Sequence, residues 1–231
     1  MMKCHYRLGV GLFMFEIKYA GQSQEPVVVI DDFHPNFAGL RQQTKTATFA
    51  KHNQFYPGVQ APADPSHLQP VSGVLTEIFK TVFGVKGGVR LLQCAYSVVT
   101  TPDGKLAPIQ RLPHVDTYDI GRIALLHYFS GAEQGGTAFY RHKATGLELL
   151  TDKTYSDYEA SVKTEGTPKP GYMRGSDDRF DMTLKIDAAP NRAILYRSAL
   201  LHSGFIPGSS NLPTDPFHGR LTLNTFFQAK D

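Results

Sequence analysis

From residue 89 to the C-terminus, apolar positions recur every second residue in short runs bounded by Gly, Pro, Asp or Asn, the signature of strands. Seven runs carry it: VRLLQCAYSVVT (89–100), APIQRLPHVD (107–116), GRIALLHYFS (121–130), GGTAFYRH (135–142), FDMTLKIDA (180–188), NRAILYRS (191–198) and GRLTLNTFF (219–227). Upstream, EPVVVIDDF (25–33) reads as a buried strand, the opening MMKCHYRLGVGLFMFEIKYA as another, and YPGVQAPADPSH (56–67) as loop by its Pro and Gly content. Between them Val71, Val74, Leu75, Ile78, Phe79, Val82 and Phe83 fall at i, i+3, i+4, i+7 spacing, with Gly84 after the last turn. That stripe predicts a helix packed on one face of a sheet. Residues 143–178 break the strand rhythm with a short helical stretch, TYSDYEASVK, and a long polar loop. Loops of that length commonly form lids or binding loops. The expected architecture is mainly β with flanking helices, a double-stranded β-helix (jelly roll), built as a single domain over residues 1–231 with a lid-like insertion around 143–178.

Composition narrows this picture more than it adds to it. A hydrophobic fraction of 41%, with 11% aromatic and 19% charged residues, is globular. The net charge of +3 is spread along the chain, without the Lys/Arg cluster and interleaved aromatics of a nucleic-acid binder. No apolar run approaches the ~20 residues of a bilayer helix, and LGVGLFMF is cut short by Glu16 and Lys18, unlike a secretory leader. Cys4 and Cys94 form no CxxC motif, which fits a reducing cytoplasm and argues against a disulfide framework. The expected partner is therefore a small-molecule or peptide substrate, with no nucleic acid and no membrane; nothing sets the oligomeric state.

The candidate chemistry lies in RLPHVDTYD. In an extended chain His114 and Asp116 leave the same face, roughly 6.6 to 6.8 Å apart at ~3.3 to 3.4 Å of rise per residue, so both can reach one ion. A polar surface strand would show the same pair. His202, in ALLHSGFIPG after an apolar strand, and Arg220 lift it above that reading. Two imidazoles and one carboxylate on one face of an octahedron leave open positions, the arrangement of non-haem iron(II) oxygenases. Arg220, Thr222 and Asn224 share one face of the last strand. If that face lines the roll, Arg220 is a buried cation in need of an anion, and its fork of donors matches a carboxylate. Iron(II) with one carboxylate ligand carries +1 and Arg220 another +1, which 2-oxoglutarate balances. Elsewhere, Asp31-Asp32 is best explained as the cap of a following helix, His127 as a hydrogen-bonded core histidine, and His142 with Arg141 as a solvated strand end.

The order PHVD, LLHYFSGAEQGGTAFY, NRAILYRSALLHSG, GRLTLNTFF resembles the 2-oxoglutarate/iron(II)-dependent oxygenases of the prolyl 4-hydroxylase type, and a bacterial branch of them in particular. The resemblance implies that His114, Asp116 and His202 are the iron ligands and catalytic centre. It implies that Arg220 holds the distal carboxylate of 2-oxoglutarate, that Tyr128 shares that carboxylate, that Tyr96 lines the cosubstrate pocket, and that Asn224 adds to it. The implied activity is a dioxygenase consuming Fe(II), 2-oxoglutarate and O2, releasing succinate and CO2, with C–H hydroxylation as the default outcome. The rival reading is a non-catalytic jelly-roll module that binds metal or ligand. About eighteen residues separate His202 from Arg220, more than the family's usual interval, so the loop between them is enlarged. Loops of this kind choose substrates.

Overall fold

The computed structural model describes residues 2–7, 12–208 and 212–230, with backbone alone for 2–7, 12 and 13. In chain order the elements are β1 (Met2–Arg7), β2 (Leu12–Ala20), β3 (Glu25–Ile30), α1 (Phe37–Gln43), β4 (Gly58–Pro62), α2 (Ser72–Thr81), β5 (Val89–Val99), β6 (Arg122–Tyr128), β7 (Gly136–His142), α3 (Tyr155–Thr164), β8 (Phe180–Asp187), β9 (Ala193–Arg197), β10 (His202–Phe205) and β11 (Arg220–Ala229). An eight-stranded antiparallel sheet, in the order β1-β2-β3-β9-β6-β11-β5-β4, faces a three-stranded sheet, β10-β7-β8. This is the jelly roll the alternation predicts. No helix among the described residues is long and apolar enough to cross a membrane.

Alternation decides which side chains meet. One face of the large sheet, with Ile17, Val28, Leu125 and Phe227, packs against Val74, Leu75, Ile78 and Phe79 of α2. Each of these helix residues is worth about 1.5–3 kcal/mol when fully buried. Gly84 then takes φ +70°, which ends the helix as expected. The opposite face turns Val27, Ala124, Ile194 and Tyr196 toward Phe139 of β7 and Ile186 of β8, closing the roll. At the start of β7, Gly135 takes φ +96° and an added Cβ would lie 1.8 Å from the Phe205 carbonyl oxygen of β10, so two strands of the small sheet meet there backbone to backbone. Side chains from the insertion, Leu150 and Tyr158, pack on Ala138, Tyr140 and Phe180.

Five local expectations are corrected. The opening segment is two strands, β1 and β2, and the side chains of Cys4 and His5 lie outside the described residues. Residues 56–67 contain β4, an edge strand on β5 that ends at Pro62, where a missing N–H costs nothing. Residues 107–116 are no strand: Pro108–Arg111 form a 3₁₀ turn whose first free N–H, on Ala107, donates to Gln110 Oε1 at 3.0 Å. Helix α1 is capped by Asn36, which accepts from Gly39 N at 3.1 Å, while Asp31 pairs with Arg192 at 2.6 Å. His142 is fully buried rather than solvated, 2.8 Å from Glu165, which also accepts from Arg179.

Candidate metal centre

Three local devices bring the ligands together. His114 N donates to the His202 carbonyl at 2.8 Å and His202 N returns the bond to His114 at 2.9 Å, so two segments far apart in sequence are clamped as a β-bridge. The Asp116 N–H donates to Ser198 O at 2.9 Å, which fixes the second residue of the motif against the end of β9. The His202 ring is fixed in turn: its Nδ1 lies 2.8 Å from the Leu200 carbonyl, an acceptor only, so Nδ1 carries the proton and Nε2 keeps its lone pair. The result is one candidate ligand atom from each of His114, Asp116 and His202, all within 4.8 Å of one another. Asp116 Oδ1 is 4.0 Å from His114 Nε2, and its Oδ2 is 3.8 Å from His202 Nε2.

The electrostatics suit a cation. Burial, then the neighbouring His202 ring, pull the His114 pKa down to about 4 against the opposing pull of Asp116. Although 53% of the His114 side chain is accessible, what it meets is the interior cavity. Burial also takes His202 down to about 4. Both rings are therefore neutral at physiological pH, the form that ligates metal. Burial raises the Asp116 carboxyl, opposed by His114, the Ser198 hydroxyl and Arg122. A divalent ion between the three would relieve the crowding of ring lone pairs and the desolvated carboxylate together.

The three groups open into a cavity of about 1080 Å³ between the sheets. Arg220, Thr222 and Asn224 all line it, as the shared strand face predicts. The Arg220 side chain is the more telling: the residue is 4% exposed, donates through Nη2 to Gly136 O at 2.7 Å, and leaves Nε without a partner among the described residues. Among the described residues it has no carboxylate partner. Asn224 donates through Nδ2 to the Ser97 hydroxyl at 3.3 Å, a long bond, and its Oδ1 is likewise unsatisfied.

Two expected cosubstrate residues sit elsewhere. Tyr96 packs with Phe129, Leu221 and Leu223 on the far side of the sheet, and its hydroxyl donates to Gln43 at 3.1 Å. Ser97 occupies the inward position on β5 instead, opposite Thr222. Tyr128 is fully buried behind the cavity wall, with its hydroxyl 2.6 Å from that of Thr137, which does line the cavity. His127 is the core histidine expected, its Nε2 2.9 Å from Asn191 Oδ1. Sequence reasoning misses Tyr56 and Tyr196. Tyr196 packs edge-on to His202 with centroids 4.8 Å apart, and the Tyr56 hydroxyl is buried without a partner among the described residues. The inward parity of Ile194 and Tyr196 on β9, continued by Ser198 just past its end, is the available signal for Tyr196.

A fold with a two-histidine, one-carboxylate cluster and an unpaired guanidinium in one cavity can be set beside known proteins. Residues 13–227 match a protein family described as a family of unknown function, DUF6445. The chain belongs to that family. No curated protein matches this DUF6445 chain. Among solved structures it is similar to HygX from Streptomyces hygroscopicus with nickel, 2-oxoglutarate and hygromycin B bound, at 12% identity, 90% coverage of this chain, 84% of that chain and a TM-score of 0.53. The 2-oxoglutarate complex of the viral collagen prolyl hydroxylase of Paramecium Bursaria Chlorella virus-1 is 12% identical over 89% of this chain and 96% of that chain, with a TM-score of 0.48. At such identity the likeness to HygX is one of fold: the DUF6445 chain has the double-stranded β-helix of the 2-oxoglutarate/iron(II) oxygenases.

Proposed function

We propose that this DUF6445 protein is an iron(II)- and 2-oxoglutarate-dependent dioxygenase that hydroxylates a C–H bond of a small molecule or peptide, releasing succinate and CO2. The observation that carries the reading is the pairing, in one cavity, of a three-ligand cluster within 4.8 Å and a buried Arg220 whose charge no carboxylate balances among the described residues. The donor set fits the metal: two neutral imidazoles and one carboxylate suit iron(II) and leave coordination positions open. In this reading His114, Asp116 and His202 hold the iron, while Arg220 and Asn224 receive the distal carboxylate side of 2-oxoglutarate. Tyr128 acts through Thr137 rather than by direct contact, and Tyr96 has no part.

When bound, iron(II) and 2-oxoglutarate supply O2 activation coupled to oxidative decarboxylation of the cosubstrate. The chain supplies the rest. Arg220 neutralises and orients a carboxylate by paired N–H donors. The Leu200 carbonyl and the Tyr196 ring hold His202 in one tautomer and orientation. The apolar walls, Leu126, Leu150 and Tyr196, keep water from the reacting centre.

Purified protein given iron(II), ascorbate and 2-oxoglutarate should form succinate, and His114→Ala or Asp116→Ala should abolish it. Absence of both iron(II) and 2-oxoglutarate binding refutes the reading. Tight binding of both without succinate, across substrates and without them, would mark a non-catalytic binding module instead.

A further inference from the structure

A second cation lines the same cavity and has no role in the reading above. Arg122 opens β6, on the inward parity it shares with Ala124 and Leu126. Among the described residues its Nε is buried without a partner and its guanidinium makes no hydrogen bond or ion pair. Its charge reaches Asp116 only at a distance: it is the weakest influence on that carboxyl, and the two form no ion pair. The donors of the other cavity cations are engaged. Lys163 pairs with Glu159 at 3.0 Å, and Arg111 donates through Nε and Nη2 to the Leu106 carbonyl.

Arg122 cannot serve the same ligand as Arg220. It lies opposite Gln228 in the ladder, eight residues along β11 from Arg220, roughly 27 Å of strand at ~3.4 Å per residue. A five-carbon diacid held at Arg220 cannot bridge that interval. The metal cluster touches both ends: Asp116 is hydrogen-bonded to Ser198, whose own N–H donates to the Arg122 carbonyl at 2.9 Å, while Gly204, two residues past His202, lies against the Arg220 guanidinium. The charge balance points the same way: iron(II), Asp116, Arg220 and 2-oxoglutarate sum to zero, so the cosubstrate leaves Arg122 unneutralised. Around it the wall is apolar and aromatic, with Tyr118, Leu126 and Phe226. A cavity of about 1080 Å³ holds a second small ligand beside the cosubstrate.

We propose that Arg122 is the anchor for the substrate, and that the substrate is a small monocarboxylic acid with an apolar or aromatic body. The carboxylate takes the free guanidinium donors, and the body lies along Leu126 and Phe226 so that carbons beyond the carboxylate face the metal cluster. This rests on the reading of the site as an iron and 2-oxoglutarate centre.

The test uses full-length protein loaded with manganese(II) and 2-oxoglutarate, which binds without turning over. Calorimetry or ligand-observed NMR measures 4-phenylbutanoate, 3-phenylpropanoate and hexanoate against their neutral amides. At least one acid should bind tenfold or more tighter than its amide. Arg122→Met should bring the pair within threefold of each other, and Arg122→Lys should restore part of the preference, while 2-oxoglutarate affinity stays within threefold of the parent in both. Equal binding of acid and amide, no binding of any acid, or an acid preference that survives Arg122→Met overturns the assignment of Arg122. Failure of manganese(II) and 2-oxoglutarate to bind at all overturns the underlying reading instead, so the two failures are separate.

Discussion

Replacing Arg220 by Met tests the cosubstrate site with two effects of opposite sign. In the free protein this guanidinium is buried, bonded once to the Gly136 carbonyl, and unpaired with any carboxylate among the described residues. Holding an unpaired charge there costs several kcal/mol. Its removal recovers that cost, offset by the ~1–3 kcal/mol lost where the Gly136 carbonyl is left without this donor. The unliganded variant should therefore be as stable as the parent or more so. Binding moves the other way. Losing one partner of a buried, hydrogen-bonded charge pair costs about 2–5 kcal/mol, or roughly 30- to several-thousand-fold in Kd for 2-oxoglutarate. At a cosubstrate concentration one hundred times the parent Kd, the metal-loaded parent gains about 2.7 kcal/mol, while a variant weakened a hundredfold gains about 0.4 kcal/mol. For a chain of 231 residues each kcal/mol moves Tm by about 2–4 °C, so the thermal shift of the parent should be on the order of 5–11 °C and that of the variant near 1 °C. Differential scanning fluorimetry with and without 2-oxoglutarate reads both effects. A variant that keeps the parent's shift, or whose unliganded form is less stable by more than about 1 kcal/mol, refutes the reasoning.

Other positions separate the metal centre from its surroundings. Asp116→Ala should lower affinity for iron(II) or manganese(II) by tenfold or more, measured by metal titration, without unfolding the chain, because the Asp116 backbone bond to Ser198 is retained. Tyr96→Phe should leave 2-oxoglutarate affinity within twofold and cost about 0.5–1.5 kcal/mol of stability through the lost bond to Gln43; a large loss of cosubstrate affinity would return Tyr96 to the cavity. Burial holds the His127 pKa down at about 3, so the fold keeps this ring neutral while the unfolded chain protonates it near 6.5. Its contribution is present above pH 6.5 and is lost as pH falls, by about 2 kcal/mol at pH 5, so urea unfolding of His127→Phe should show a shallower decline between pH 8 and 5 than the parent; equal slopes would contradict the buried neutral ring.

The residues that sequence reasoning finds and those it misplaces differ in one physical respect. His114, Asp116, His202 and Arg220 bear chemistry that few plain surfaces need, and the period of two in a strand settles which neighbours share their face, so Thr222 and Asn224 follow from Arg220. Tyr96 depends on something a single sequence does not contain. Whether odd or even positions of β5 face inward is set by its register with β11, where Ser97 pairs with Thr222, and a shift of one residue turns every side chain to the other face. Tyr128 has the inward parity, yet Thr137 stands between it and the cavity, and only the packing of β7 against β6 places that residue there. Strand β4 is hidden for a related reason: its Gly and Pro content reads as loop, and what makes it a strand is the waiting edge of β5. The ligands of the centre are clamped by backbone bonds between segments about ninety residues apart, so the side chains announce the chemistry while long-range pairing supplies its geometry.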